Sequence, residues 1–253
     1  MLPNHAPLVV AEQFGTLETL YPGRIDLGLG RAPGTDGATA RALRRYFEGA
    51  DHFPRDVVEL IQWFEPPAEN QPVRAVPGAG LRVPIWLLGS SLFSAQLAGQ
   101  LGLPYAFASH FAPELLLEAL ALYRRNFTPS DRLAAPHAMA VLNVFAAETD
   151  DEGVRLATSM QQSFARLSTG KPGRLPPPVD DIAAVLTPQQ IESARSRLTY
   201  SAVGGPETVK KQLSDFIALT QVDELMITGM MFDKAARIRS LEIVAEARER
   251  LAA

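Results

Sequence analysis

Pro84-Ile-Trp-Leu-Leu-Gly-Ser-Ser-Leu-Phe-Ser94, followed by Gly102-Leu-Pro-Tyr-Ala-Phe-Ala-Ser-His-Phe111, decides how this chain reads. Ile85 to Leu88 is an apolar run without alternation, the pattern of a strand buried on both faces. Gly89-Ser90-Ser91 breaks the run with small residues that offer hydroxyls and unpaired backbone N–H groups. A helix follows at once, with Phe93, Leu97 and Leu101 at spacing four and Gly102 as the C′ residue that ends it. Pro104 to Ser109 gives the next apolar strand. A serine turn between the end of a parallel strand and the start of a helix is an anion site, because free amides and the helix dipole both favour negative charge there. The turn therefore predicts a bound phosphate, and the phosphate is that of a cofactor.

The same alternation extends in both directions. Upstream, Pro7 suits a first helical turn, and Val10, Phe14 and Leu17 mark a helix face that ends near Tyr21-Pro22-Gly23. Arg24 to Gly30 reads as a strand and Arg31 to Asp36 as the loop at its C-terminal end. Residues 37 to 65 read as helical (Leu43, Phe47, Val57, Leu60, Ile61, Phe64), and Pro66 to Gly80 as a connector. Downstream come a helix over Pro113–Phe127, a strand over Ala138–Ala147, and a helix begun by Thr149-Asp-Asp-Glu152 and running to about Leu167. Ser168 to Pro178, rich in glycine and proline, reads as a loop within an insertion over about 150–200, where lids are found. Helices are expected over Thr187–Leu198, Gly204–Leu219 and Asp233–Leu251, with a last strand at Asp223–Gly229. Five strands, each followed by a helix, imply parallel pairing with right-handed crossovers. The choices are an open doubly wound sheet and an eightfold βα barrel, which five strands do not close.

Composition narrows the function classes. The 253 residues are 47% hydrophobic and 21% charged, ordinary for a globular enzyme, and suit one barrel-sized domain or two small ones. A net charge of −4 with no basic block points away from nucleic acid. With no cysteine there is no disulfide, thiolate metal site or cysteine nucleophile, which fits a cytoplasmic protein. No apolar run approaches the roughly 20 residues of a membrane span. His5, His52 and His137 lie in loops or connections without metal-ligand spacing, so no metal is expected.

Two long motifs carry a family resemblance. Val10-Ala-Glu-Gln-Phe-Gly-Thr-Leu-Glu-Thr-Leu-Tyr-Pro-Gly-Arg-Ile-Asp-Leu-Gly-Leu-Gly-Arg-Ala-Pro-Gly-Thr-Asp36 is one; Leu88 to Ala98 together with Gly102 to Phe111 is the other. Both resemble the bacterial luciferase-like monooxygenases, flavin-dependent TIM (β/α)8 barrel enzymes. The likeness continues weakly through Asp223–Thr228 and Arg239-Ser-Leu-Glu242. The resemblance implies an α/β fold of that barrel type in one domain over 1–253, N-terminally incomplete, with the first three βα units missing and the fourth to eighth strands present. It implies either a fragment, the favoured reading, or a protein that has lost part of its barrel, with unpaired strand edges that favour association.

By the same resemblance the phosphate of reduced FMN falls on Arg31 and on Gly89, Ser90, Ser91 and Ser94. A guanidinium fork suits phosphate oxygens, and such charge-assisted bonds are roughly twice as strong as neutral ones. Some relatives carry a carboxylate where Ser90 stands. The histidine that lies near the flavin ring in luciferases belongs to the missing region, so no catalytic base is assigned; His110, just past a strand end, is a pocket candidate. The expected reaction uses reduced FMN and molecular oxygen on a small organic substrate, with a separate flavin reductase and a homodimer as partners. Two alternatives stand beside it: hydride transfer with a deazaflavin coenzyme, and a non-catalytic flavin-binding subunit or inactive fragment.

Two rival signals read as ordinary structure. Gly28-x-Gly30-x-x-x-Gly34 is one residue too long for a dinucleotide fingerprint, and Pro33 interrupts the helix that should follow. Gly204-Gly-Pro-Glu207 resembles a second phosphate loop, but Glu207 in the first turn competes with an anion, so it reads as a plain helix start.

Overall fold

The apolar run at 85–88 becomes the middle strand of the first of two units into which the chain divides. In the computed structural model, which describes residues 1–32, 34, 36–43 and 51–251, one unit is Met1–Ala106 with Glu118–His137 and the other Phe107–Leu117 with Ala138–Ala253. Parts of the expected loop at 31–36 (Pro33 and Thr35) and of the expected helix at 37–65, Phe47 included, lie outside the described residues.

In the first unit, β1 (Leu27–Gly30), β2 (Ile85–Gly89) and most of β3 (Tyr105–Phe107) lie in that order. β1 and β2 are parallel and in register from Leu27 opposite Ile85 to Gly30 opposite Leu88. Ile85, Trp86 and Leu87 are all buried, as the lack of alternation requires. Around them lie α1 (Pro7–Leu20), α2 (Gly37–Ala42), α3 (Phe53–Phe64), α4 (Leu92–Leu101) and most of α5 (Leu116–Arg125). α3 is amphipathic and buries Phe53, Val57, Leu60 and Phe64 at helical spacing.

Two helices bury a different face from the one their large residues suggest. α1 buries Val10, Ala11 and Gly15, while Leu17 is exposed. The cause is a close backbone approach: a Cβ on Gly15 would stand 2.4 Å from the Gly78 Cα. α4 buries Ser94, Ala95, Ala98 and Gly99, and leaves Phe93 37% exposed. Here too small residues admit a neighbour, since a Cβ on Gly99 would lie 3.0 Å from the Tyr123 carbonyl oxygen. Leu-rich spacing marked these helices correctly, but packing chose the face that lets backbones meet. Gly102 ends α4 in the left-handed conformation, φ 59°.

The second unit is built on β4 (Ala138–Ala146), with β5 (Ser201–Gly204) and β6 (Glu224–Thr228) both parallel to it. β6 runs beside Met139–Asn143 and β5 beside Asn143–Ala146. β5 corrects the expectation of five strands: the described residues contain six. Ser-Ala-Val-Gly lacks an apolar run, and its extended form comes from the ladder it makes with β4. The helices are α6 (Asp150–Ser168), α7 (Pro188–Arg197), α8 (Pro206–Thr220) and α9 (Lys234–Leu251). Thr149 caps α6 by accepting from Glu152 N–H, and Thr187 with Gln190 forms a capping box on α7. Phe145, Leu156, Ala157, Met160, Phe164, Ala194 and Met231 form one core cluster.

The proline-rich loop after α6 is strapped down at its far end. Val179 N–H donates to Thr158 Oγ1 at 2.9 Å, the Gln162 amide donates to the Pro177 carbonyl at 3.0 Å, and Arg155 pairs with Asp180. The Arg239-Ser-Leu-Glu242 stretch fastens α9. Ser240 Oγ accepts from Ala146 N–H at 3.0 Å, and Arg239 gathers Glu148, Glu242 and Glu246. Among the described residues no helix is long and apolar enough to cross a membrane.

Candidate functional site

The parallel register of β1 and β2 brings their C-terminal ends to the same level. Gly30 stands opposite Leu88, so Arg31 and Gly89 are the next residues out on adjacent strands. Arg31 is exposed, and its Cζ lies 4.2 Å from the centroid of the Phe93 ring. Phe93 is the second residue of α4, whose N-cap is Ser91. The guanidinium is therefore held at the first turn of α4. Among the described residues it has no carboxylate partner.

Ser91 takes the extended conformation of an N-cap, φ −139° and ψ 163°, yet its side chain makes no capping bond. The first-turn amides of α4 thus carry no side-chain oxygen, and the half-buried hydroxyls of Ser90 and Ser91 lie beside them. Amides at a positive helix end, two hydroxyls and a guanidinium are a donor set that fits a phosphate.

Gly89 and Ser94 shape this turn. A Cβ on Gly89 would stand 1.9 Å from Ser94 Oγ and 2.7 Å from Ser94 Cβ, so only glycine allows the strand end to pass so close to the helix. Ser94 is 3% exposed, and its hydroxyl donates to the Ser91 carbonyl at 3.2 Å. The hydroxyl expected on the phosphate makes its bond within the turn itself, bracing it. Beneath it, burial pushes the Tyr105 phenol well above its ordinary pKa, with a weaker opposing effect from Ser94, so the ring is a neutral part of the floor.

The structure thus groups Arg31, Gly89, Ser90, Ser91 and Ser94 within the first unit. The residue that sequence reasoning missed is Phe93, which it placed on the apolar face of α4. An aromatic in a helical first turn, one residue before a buried serine, was the available signal.

His110 belongs to the second unit. Its backbone carbonyl accepts from the buried Asn143 amide at 2.5 Å, and its ring meets Phe111 edge-on at 4.6 Å. Nδ1 is enclosed without a partner, while Nε2 is not among the enclosed unpaired atoms. Burial lowers the imidazole pKa, favouring the neutral ring. An enclosed unpaired N–H is rarer than an under-used acceptor, which favours the tautomer with the proton on Nε2.

The rival loop at Gly204-Gly-Pro-Glu207 has its own anion. Asp150 Oδ1 accepts from Gly205 N–H at 2.7 Å and Oδ2 from the Thr208 hydroxyl at 3.1 Å, which lowers the carboxyl pKa. The Gly28–Gly34 run is likewise structural: a Cβ on Gly28 would stand 2.8 Å from a Leu88 methyl, and one on Gly30 3.1 Å from the Met1 sulfur.

The family model for luciferase-like monooxygenase matches residues 1–224. A protein of Escherichia coli K12 named luciferase-like monooxygenase is 53% identical over 252 residues, covering 99% of this chain and 75% of that one. Among solved structures, apo-MsnO8 superposes with a TM-score of 0.82 at 32% identity, over 98% of this chain and 76% of its own. The oxygenating constituent of 3,6-diketocamphane monooxygenase, solved with FMN, gives 0.67 at 18% identity, over 97% and 75%. An F420-dependent secondary alcohol dehydrogenase gives 0.67 at 14%, over 96% and 75%. The last two establish likeness of fold. The chain belongs to the luciferase-like monooxygenase family, and its parallel α/β fold is that of the family's TIM-barrel enzymes.

Proposed function

We propose that this chain serves a flavin-dependent monooxygenase that uses reduced FMN and molecular oxygen on a small organic substrate. The observation that carries the reading is the Arg31 guanidinium stacked at the uncapped first turn of α4. Arg31 and the turn amides would take the phosphate oxygens, and the Ser90 and Ser91 hydroxyls would orient them. Gly89 and Ser94 would hold the turn close to β2 so that these donors converge. When bound, reduced flavin supplies two electrons and two protons, so that one oxygen atom enters the substrate and the other leaves as water. His110, in the second unit, stands as a separate pocket candidate with a neutral Nε2–H donor. A separate reductase, a homodimer and a cytoplasmic setting complete the proposal.

Titration of the chain with FMN and, separately, with a deazaflavin coenzyme, followed by fluorescence, tests the cofactor. The proposal expects tighter binding of FMN. Tighter deazaflavin binding would move the reading to hydride transfer, the cofactor named for one fold neighbour. Binding of neither would refute both.

A further inference from the structure

Phe93 is a solvent-facing aromatic in the first turn of a helix that otherwise buries small residues. That exposure has no account in core packing. What the ring does contact is the Arg31 guanidinium, at 4.2 Å from its centroid, a cation–π geometry. A guanidinium held over a ring by its charge spends no N–H donor on a carboxylate, so its donors are kept for a further ligand. Phe93 also contributes its own backbone to the α4 first turn, so the ring ties the arginine to the amides that would share its ligand. No carboxylate among the described residues performs this task, and Ser90 supplies none. An acidic partner would fix the arginine but cancel its charge; an aromatic partner fixes it and leaves the charge whole.

We propose that Phe93 is a positioning residue that holds the Arg31 fork at the α4 N-terminus for a terminal phosphate, and so sets preference for the phosphorylated flavin over its unphosphorylated form. This rests on the phosphate reading of the same turn. The ring acts through Arg31, touching neither the flavin ring nor the reacting atoms.

The test compares FMN with riboflavin by fluorescence titration of the full chain and of four variants: Phe93→Leu, Phe93→Tyr, Arg31→Met, and Phe93→Leu with Arg31→Met. Losing a solvent-exposed cation–π contact should reduce the FMN-over-riboflavin preference about two- to five-fold. Riboflavin affinity should stay unchanged and Phe93→Tyr should keep the preference. Arg31→Met should remove most of the preference, and adding Phe93→Leu to it should remove no more. An unchanged preference in Phe93→Leu, an equal loss for both ligands, or a further loss in the double variant would each overturn the inference while the phosphate site stands. If wild type does not distinguish FMN from riboflavin, or Arg31→Met leaves the preference intact, the phosphate site itself falls and the inference with it.

Discussion

Replacing Gly89 with alanine probes the close approach on which the turn depends. The new methyl would stand 1.9 Å from Ser94 Oγ and 2.7 Å from Ser94 Cβ. Rotating the hydroxyl relieves the first contact but not the second, because Ser94 Cβ is fixed to the α4 backbone. Either the end of β2 or the first turn of α4 must therefore move by several tenths of an ångström. Overpacking of this kind destabilises by about 1–3 kcal/mol. Ser94→Gly removes both opposing atoms at the expense of roughly 1 kcal/mol of helix propensity and roughly 1 kcal/mol for the hydrogen bond to Ser91. The double variant should then be about as stable as Ser94→Gly alone, a coupling of about 1–3 kcal/mol between the two sites. Ser94→Ala, which keeps the Cβ, should rescue only partly. Urea unfolding of the four proteins measures the cycle. If Gly89→Ala lies within about 0.5 kcal/mol of wild type, or the two substitutions simply add, the argument for a glycine-dependent turn is wrong.

Three further predictions concern the second unit. Asp150 has a lowered carboxyl pKa because Gly205 N–H and Thr208 bond its charged form, so its contribution is present above its ordinary value of 3.8 and lost as pH falls through the lower folded value. Asp150→Asn should flatten that acid limb of a stability-versus-pH curve; an unaltered limb would show that the carboxylate does not serve α8. His110 is lowered by burial, so the unfolded chain takes up a proton near 6.5 before the folded chain does, and stability should fall as pH drops below about that value. His110→Asn should remove this slope in unfolding midpoints collected from pH 7.5 to 5. Thr158→Val leaves Val179 N–H without its acceptor inside the protein, a loss of about 1–3 kcal/mol. Cleavage by trypsin after Arg174 should then accelerate, and unchanged cleavage would mean that the strap does not hold the loop.

Much of this protein is written locally. Unalternating apolar residues at 85–88 define β2, Thr149 with three acidic residues starts α6, Thr187 with Gln190 starts α7, and Gly102 ends α4. Each of these signals acts within a turn or two of chain, where hydrogen bonding and backbone preference are settled by near neighbours. The serine turn and Arg31 could also be named from sequence, because the residue types that bind phosphate are few.

Other features exist only once distant segments meet. Ser201–Gly204 is a strand because β4 offers it a ladder, not because its residues prefer one. α1 and α4 turn their small faces inward because glycine allows backbone contact with Gly78 and with the C-terminal end of α5. Asp150 reaches α8 across 55 residues and fills the second anion slot, which sequence could only guess to be ordinary. Arg31 finds the Phe93 ring, and Ser94 turns inward beneath Gly89, for the same reason. Periodicity tells which residues avoid water, but which side chain meets which is decided by the fit of surfaces far apart in the chain. In this protein the sequence determined most of the strands and the caps, while tertiary packing decided that Ser201–Gly204 is a strand, which hydroxyl bonds within the turn and which ring Arg31 meets.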